Sequence, residues 1–232
     1  TIKAKYELIE SLPQDGIAFF NAKNRYCEEL YNKTLRLRSG QAKFKQILFG
    51  LEAKVFGEEN ILGAIAVAKE LGVVIEVKPQ SNWLQFKKGV NGLNVIDSTY
   101  SANPTGVIAH LEYLKTLPGN PSTGLRVKKI IVMPCLIELG KASKEVHCRI
   151  GQKIAEVCDL AIITTGDRFK EIQAAFAKAS ASQRKGEILY IENPQEIFEK
   201  IKSTTQMGDV VLLESRVPKQ LVDLLFYKLT KL

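Results

Sequence analysis

The stretch that decides the fold runs from Val95 to Pro104 and reads VIDSTYSANP. Its apolar start, its acid and its polar turn before Asn-Pro predict a strand that leads directly into the N-terminus of a helix. Such a junction presents unpaired backbone N–H groups and the positive end of a helix dipole. It therefore suits a phosphate, ribose or carboxylate group of a ligand.

Strands and helices alternate on both sides of this junction. The predicted helices are Asn60–Leu71, Pro104–Leu117, Ser143–Val157, Arg168–Ala177, Pro194–Ile201 and Pro218–Leu229, with Ser143 as the N-cap of its helix. The predicted strands are Val73–Val77, Trp83–Phe86, Leu93–Asp97, Lys129–Met133, Leu160–Thr164, Ile188–Ile191 and Val210–Leu213. Continuous apolar strands separated by helices of about 10–15 residues predict an α/β fold, a mostly parallel sheet with helices on both faces.

The first part of the chain follows a different pattern. The segment Lys5–Phe20 predicts a short helix, a Pro-Gln-Asp-Gly turn and a strand, and Asn21–Tyr31 predicts a helix. The basic, turn-rich stretch Leu35–Gln41 predicts a linker or an insertion. Because this region is too short to bury a core of its own, we expect it to pack on the main domain or on a domain outside this chain.

Composition limits the classes of function. The net charge is +8, but the lysines are spread along the chain, which favours a surface that attracts an anionic substrate over a nucleic-acid-binding face. The four cysteines show no Cys-x-x-Cys spacing, so neither a metal site nor a disulfide framework is expected. Free thiols, no signal peptide and no membrane-spanning run predict a cytoplasmic protein. Because the chain starts with Thr1, we expect a fragment or a processed product.

Two phosphate-binding motifs are missing from the sequence. No G-x-G-x-x-G follows a strand, which argues against a dinucleotide site, and no G-x-x-x-x-G-K-[ST] occurs, so this chain carries no ATP-binding P-loop. Cys135 and Cys148 are interpreted as small apolar fillers, since no paired base is visible. His110 and Trp83 are interpreted as structural residues.

The segment Val132–Gly140 carries the clearest candidate ligand-binding residues. Glu138 follows a predicted strand, at the edge where open α/β sheets bind ligands, although an ordinary loop acid fits equally well. Ser143 and His147 are four positions apart and lie near one helix face. Taken alone, His147 is more typical of a surface or helix-packing residue than of a functional one.

Several segments, taken in order, resemble the C-terminal portion of the Mur ligase family, and most of all its D-alanyl-D-alanine-adding branch. They are Asp15–Asn21 (DGIAFFN), Asn60–Ala68 (NILGAIAVA), Val95–Pro104, Met133–His147 (MPCLIELGKASKEVH) and Glu214–Arg216 (ESR). The resemblance implies a Rossmann-like C-terminal domain over residues 58–232, preceded in residues 1–57 by a remnant of the central ATPase domain and a linker. It implies an amide-forming ligase of peptidoglycan precursor synthesis.

The resemblance also implies substrates, cofactors and site residues. The intact family enzyme uses ATP and Mg²⁺, which motifs in this chain alone do not hold, and it joins D-alanyl-D-alanine to a UDP-N-acetylmuramoyl tripeptide. An ATPase domain would then act in cis or in trans, with no nucleic-acid or membrane partner. The implied nucleotide-side residues are Asn60, Asp97, Ser98, Tyr100 and Asn103. The implied dipeptide-side residues are Glu138, Ser143, His147, Ser215 and Arg216.

Two positions depart from the family pattern. Ser98 stands where the family has an acid that reaches the nucleotide ribose, and Trp83 falls where the family has an arginine that faces phosphate. Asp97 is expected to point to the opposite sheet face and so is poorly placed to replace the missing acid. The departures favour an alternative, a non-catalytic Mur ligase-like module that binds a partner or regulates a ligase. A Mur-type ligase for another amino acid is disfavoured by the ELG…S…H segment.

Overall fold

The structure is a computed structural model that describes residues 2–36, 44–54, 58–75, 86–100, 102–117, 126–181 and 186–226. The chain forms two compact units, Thr1–Trp83 and Leu84–Leu232. No helix within the described ranges is both long and apolar enough to cross a membrane.

The first unit holds a small parallel sheet. Its elements are α1 (Ile2–Glu10), β1 (Ile17–Asn21), α2 (Arg25–Arg36), β2 (Lys45–Phe49) and α3 (Glu58–Glu70). The predicted helix, turn and strand at the start of the chain are confirmed, and the amide of Gly16 closes the turn on the carbonyl of Pro13 at 2.9 Å. β1 and β2 run parallel, with Ile17 opposite Lys45. The first two residues of the predicted linker Leu35–Gln41, Leu35 and Arg36, belong to α2, and its other residues lie outside the described ranges.

The division between the units falls later than the sequence-based boundary between residues 57 and 58. The reason is α3, which contacts both β1 and β2 and therefore belongs to the first unit. The predicted strand Val73–Val77 is wrong over its described part, since Val73–Ile75 has no strand structure. Its last two residues and Trp83 lie outside the described residues.

The second unit is built on a six-stranded sheet with the strand order β3-β4-β8-β5-β6-β7. The strands are β3 (Phe86–Lys88), β4 (Asn94–Ser98), β5 (Lys129–Met133), β6 (Leu160–Ile163), β7 (Glu187–Tyr190) and β8 (Val210–Glu214). The helices are α4 (Pro104–Thr116), α5 (Ser143–Val157), α6 (Phe169–Ser180), α7 (Pro194–Thr204) and α8 (Lys219–Phe226). β3 is antiparallel to β4 and the other pairs are parallel, which confirms the predicted mostly parallel α/β sheet.

Helices cover both faces of the central strands, which are therefore apolar over most of their length. β6 is apolar throughout, β5 is apolar after Lys129, and β8 is apolar before Glu214. Ile131 and Met133 of β5 pack into one buried cluster with α4, α5 and α6. Ile130 and Val132 point the other way, into a second cluster with α7 and α8. The alternation along β5 therefore assigns each helix to a side of the sheet.

Candidate ligand-binding site

A cavity of about 340 Å³ opens at the carboxyl edge of the sheet in the second unit. Its lining residues are Ala102, Pro134, Cys135, Leu136, Ile137, Glu138, Thr165, Asp167, Ser215 and Arg216. They follow four adjacent strands, β4, β8, β5 and β6. The chain leaves β5 toward α5 on one face and leaves β8 toward α8 on the other. Loops that diverge in this way open the crevice where α/β sheets bind ligands.

The end of β8 delivers two predicted residues, Ser215 and Arg216, to the cavity. Ser215 adopts a left-handed backbone conformation, with φ +63°, and its amide donates to the carbonyl of Ser98 at 2.9 Å. This conformation reverses the chain direction immediately after the strand. The Arg216 side chain is exposed, and within the described ranges it makes no ion pair or hydrogen bond. It is therefore an exposed cation at the cavity wall that has no partner in the described part of the chain.

The last residue of β8, next to this turn, is bound to a histidine of α4. Glu214, the last residue of β8, is 1% exposed, and its Oε2 lies 2.6 Å from Nδ1 of His110 on α4. Glu214 shares a face of β8 with Leu212, which packs in the cluster formed by α4, α5 and α6. His110 is structural, as predicted, and the bond ties α4 to the strand that carries Ser215 and Arg216.

His147 is fully buried and does not line the cavity. Its Nε2 accepts a hydrogen bond from the amide of Leu136 at 3.0 Å, and its Nδ1–H donates to the carbonyl of Ser143 at 2.6 Å. Because both ring nitrogens are engaged by the backbone, the imidazole has no atom left for a ligand. His147 supports the site by fixing the loop after β5, which includes Leu136 and Glu138.

Ser143 also lies outside the cavity lining. The prediction that it caps α5 is wrong, because the chain enters α5 through a 3-10 turn over Gly140–Ala142 and Ser143 is already helical. Its hydroxyl lies 3.4 Å from Nδ1 of His147. Glu138, in contrast, lines the cavity as an exposed acid with φ +61°. A left-handed conformation is uncommon for a residue with a side chain and is frequent near functional sites.

The residues predicted to face a nucleotide do not gather in this cavity. Asn103 caps α4 by accepting from the amide of Gly106 at 2.9 Å. Tyr100 is 89% exposed. Ser98 is half-buried, opposite Glu214 in the sheet register. Asn60 is exposed in the first turn of α3, in the other unit.

Asp97 is held by local hydrogen bonds. Its Oδ2 accepts from Nζ of Lys87 at 2.8 Å, and its Oδ1 accepts from the hydroxyl of Thr99 at 2.7 Å. Burial alone would raise the pKa of Asp97, but the bonds from Lys87 and Thr99 outweigh it and lower the pKa below its usual range. Side chains point alternately to the two faces of the sheet along β4. Asp97 therefore lies on the same face as Val95, which packs with α7 and α8, and Ser98 lies on the same face as Ile96, which packs with α4.

The loop after β6 supplies lining residues that the sequence did not reveal, Thr165 and Asp167. The hydroxyl of Thr165 accepts from the amide of Cys135 at 2.8 Å, and Sγ of Cys135 donates to the carbonyl of Thr165 at 3.3 Å. These two bonds join the β5 and β6 loops. The signal for Asp167 was an acid shortly after a buried strand, the same pattern that identified Glu138.

The cavity therefore carries charges of both signs, with Glu138 and Asp167 after β5 and β6 and Arg216 after β8. Such an arrangement suits a small ligand that bears both an anionic and a cationic group. Across the described part of the chain, no group of three or more His, Cys, Asp or Glu side chains is placed to hold a metal ion.

Comparison with known proteins gives consistent results. The profile of the family described as "Mur ligase, glutamate ligase domain" matches residues 84–216. The chain is similar to the UDP-N-acetylmuramoyl-tripeptide–D-alanyl-D-alanine ligase of Bacillus subtilis (strain 168), at 21% identity over 92% of this chain and 51% of that protein. The chain thus spans about half the length of this relative.

Solved structures share the fold. A MurF ligase from Thermotoga maritima in complex with ADP matches with a TM-score of 0.71 at 19% identity, over 99% of this chain and 57% of that one. MurF from Acinetobacter baumannii matches with a TM-score of 0.64 at 20% identity, over 96% of this chain and 55% of that one.

Proposed function

Because the chain belongs to the Mur ligase family, we propose that it is the dipeptide-binding part of an ATP-dependent ligase that adds D-alanyl-D-alanine to a UDP-N-acetylmuramoyl tripeptide. The similarity to the Bacillus subtilis ligase with that printed activity supports the choice of substrates. In this proposal the ATPase portion is supplied in cis or in trans, and the protein acts in the cytoplasm in peptidoglycan precursor synthesis.

The cavity at the ends of β8, β5 and β6 is the observation that carries the proposal. Arg216 is an exposed cation without a partner among the described residues, and a guanidinium binds a carboxylate in a bidentate manner. β8 and β6 lie on either side of β5, so their ends are roughly 10 Å apart at the usual strand spacing. A dipeptide extends over about 7 Å, which fits this separation better than a single amino acid does.

In the proposed reaction, the second unit positions the dipeptide for attack. ATP phosphorylates the carboxylate of the nucleotide-linked peptide, and the dipeptide nitrogen then attacks the carbonyl carbon of the acyl phosphate. The new C–N bond forms as the C–O bond to phosphate breaks, and the nitrogen loses a proton. Holding the dipeptide at the edge of a rigid sheet supplies the proximity that this attack requires.

The predicted site residues divide by role in this proposal. Glu138, Ser215 and Arg216 contact the dipeptide, whereas Ser143 and His147 fix the loop that carries Glu138. The nucleotide is expected near Asn60 and the turn from Asp97 to Asn103. ATP and Mg²⁺ are expected to bind chiefly through the ATPase portion.

The small sheet of the first unit supports the idea that residues 1–57 are a remnant of that ATPase domain. β1 and β2 form a parallel pair. Parallel strands occur almost only in larger sheets that helices cover on both faces, and isolated pairs are marginally stable. A further parallel strand from an ATPase domain would complete such a sheet.

Reconstituted ligation tests the proposal. The ATPase half of a D-alanyl-D-alanine-adding relative is fused upstream of this chain, and the product is followed by mass spectrometry. We expect a UDP-muramoyl pentapeptide that forms only with both ATP and the dipeptide, a strong reduction in the Arg216→Gln fusion, and no ATP turnover by this chain alone. ATP turnover by this chain alone, or a fusion that consumes ATP without joining the dipeptide, would contradict the proposal.

The second candidate is a non-catalytic module that binds or regulates a ligase. Ser98 favours it, because the neighbouring acid Asp97 is bound to Lys87 and Thr99 and faces the opposite side of the sheet. Introducing Ser98→Asp together with Trp83→Arg into the fusion separates the two candidates. Ligation that appears only in the double variant indicates a module that has lost catalysis. Equal ligation by the original fusion and the double variant shows that Ser98 and Trp83 do not abolish ligase activity.

A further inference from the structure

Asp167 is a charged residue of the cavity that the predicted site did not include. It lies in the loop between β6 and α6, whose position is fixed on both sides. The Thr165–Cys135 bonds anchor the loop to the loop after β5, and the amide of Phe169 donates to the carbonyl of Gly166 at 3.3 Å. Asp167 is therefore an exposed acid on a well-anchored loop.

The carboxylate of Asp167 is available for a ligand. Its neighbour Arg168 binds Glu171 on the first turn of α6 at 2.9 Å, so this nearby cation is already engaged. Within the ranges that the structure describes, Asp167 itself has no hydrogen-bond or ion-pair partner. An unpaired carboxylate in a cavity attracts a cationic group.

Asp167 and Arg216 line the same cavity from loops that follow two different strands. Arg216 follows β8 and Asp167 follows β6, with β5 between them, so roughly 10 Å separates the two strand ends. Glu138 follows β5, only one strand spacing, about 5 Å, from β8. The termini of an extended dipeptide are about 7 Å apart, and a hydrogen bond of about 3 Å at each end brings the total to about 13 Å, which exceeds two strand spacings and far exceeds one.

We propose that Asp167 binds the amino terminus of a zwitterionic dipeptide whose carboxylate is held by Arg216. This inference rests on the proposed function and adds the residue that selects a free amino group. The carboxylate accepts hydrogen bonds from the ammonium group. Because Asp167 is exposed, one ammonium proton passes to solvent water, and the carboxylate still accepts a hydrogen bond from the neutral amine. The nitrogen lone pair then remains free for the attack on the acyl phosphate.

Titration calorimetry on the full chain tests this inference with three probes, D-alanyl-D-alanine, its N-acetyl derivative and its C-terminal amide. In the wild type, acetylation should weaken binding about tenfold or more, the range expected for loss of a charge-assisted hydrogen bond. Asp167→Asn should weaken the free dipeptide by a similar factor and leave the N-acetyl derivative unchanged. Arg216→Gln should instead remove the preference for the free carboxylate over the amide.

Two further variants sharpen the test. Asp223→Asn is the matched control, since Asp223 is an exposed acid of α8 outside the cavity lining, and it should bind all three probes like the wild type. Glu138→Gln tests whether Glu138 binds the amino group instead of Asp167. The inference is overturned if Glu138→Gln abolishes the preference for a free amine and Asp167→Asn does not. An unchanged preference in Asp167→Asn overturns the inference alone, whereas a wild type that binds no dipeptide overturns the proposed function with it.

Discussion

The bond between His110 and Glu214 offers the sharpest test of how the site is supported. Glu214 is 1% exposed at the end of a strand whose residues are all buried, and Nδ1 of His110 lies 2.6 Å from its carboxylate, within hydrogen-bond distance. His110→Ala removes that partner and leaves a carboxylate buried without it. Removing one member of a buried pair typically costs about 3–5 kcal/mol. Because the His110 side chain is 18% exposed, water can replace part of the interaction, and we expect a value near the lower limit, about 3 kcal/mol.

Urea denaturation combined with hydrogen-exchange mass spectrometry measures this effect locally. A global unfolding curve would mix the two units of the chain, whereas peptides from α4 and β8 report on the bond itself. With a urea slope of about 2 kcal/mol per M, a loss of about 3 kcal/mol lowers the unfolding midpoint of these peptides by about 1.5 M. Peptides from the first unit serve as the internal reference.

A matched pair of variants separates charge from packing. Glu214→Gln keeps an acceptor for His110 and should lose much less stability than His110→Ala. The double variant His110→Leu with Glu214→Leu replaces the pair by apolar side chains, an exchange that is often neutral, and should recover most of the lost stability. A loss below about 1 kcal/mol in His110→Ala, or additive losses in the double variant, would refute the view that the two residues form a coupled buried pair.

Three other predictions concern single side chains. His147→Ala leaves the amide of Leu136 without its acceptor, which should cost about 1–3 kcal/mol and speed hydrogen exchange in the loop after β5; unchanged exchange there would contradict the supporting role. Lys87→Met should raise the pKa of Asp97 in carboxyl NMR titrations. Since the pKa of Asp97 is lowered in the folded wild type, the Lys87–Asp97 pair stabilises the protein above the pKa that Asp97 has in the unfolded chain. This stabilisation is lost as the pH falls through the pKa of Asp97 in the folded protein. The variant should therefore be less stable than the wild type by up to about 1 kcal/mol at pH 7 and equally stable in acid. Burial raises the pKa of the Cys158 thiol, so iodoacetamide at neutral pH should modify it last among the cysteines, and early labelling would show that this part of the core opens.

The sheet could be predicted from the sequence because its strands are continuous apolar runs. β5 and α5 have the predicted bounds. A polar or charged residue, Lys129 or Ser143, marks the start of each, and Pro134 follows the end of β5. The place of α3 in the first compact unit could not be predicted in this way. The apolar pattern of α3 shows that the helix packs on something, but it does not show that the partners are β1 and β2.

The site was predicted in part, for a physical reason. Glu138 could be named from the sequence because it follows a strand, and strand ends can be located from hydrophobicity. Arg216 was implied only by the family resemblance. Asp167 also follows a strand, but nothing in its short Gly-Asp turn separates it from an ordinary loop acid. The local roles of Asp97 and His147 depend on the partners that folding brings within hydrogen-bond distance, and residue types alone do not specify those partners.

The most direct test of the central claim is an NMR titration of the ¹⁵N-labelled full chain with D-alanyl-D-alanine. The account predicts saturable shifts concentrated on the amides around the cavity, in the loops Cys135–Glu138, Thr165–Asp167 and Ser215–Arg216, with much weaker effects from D-alanine alone. No saturable shift at about 10 mM dipeptide, corresponding to less than roughly 3 kcal/mol of binding free energy, would contradict it. Shifts that gather away from these three loops would contradict it equally.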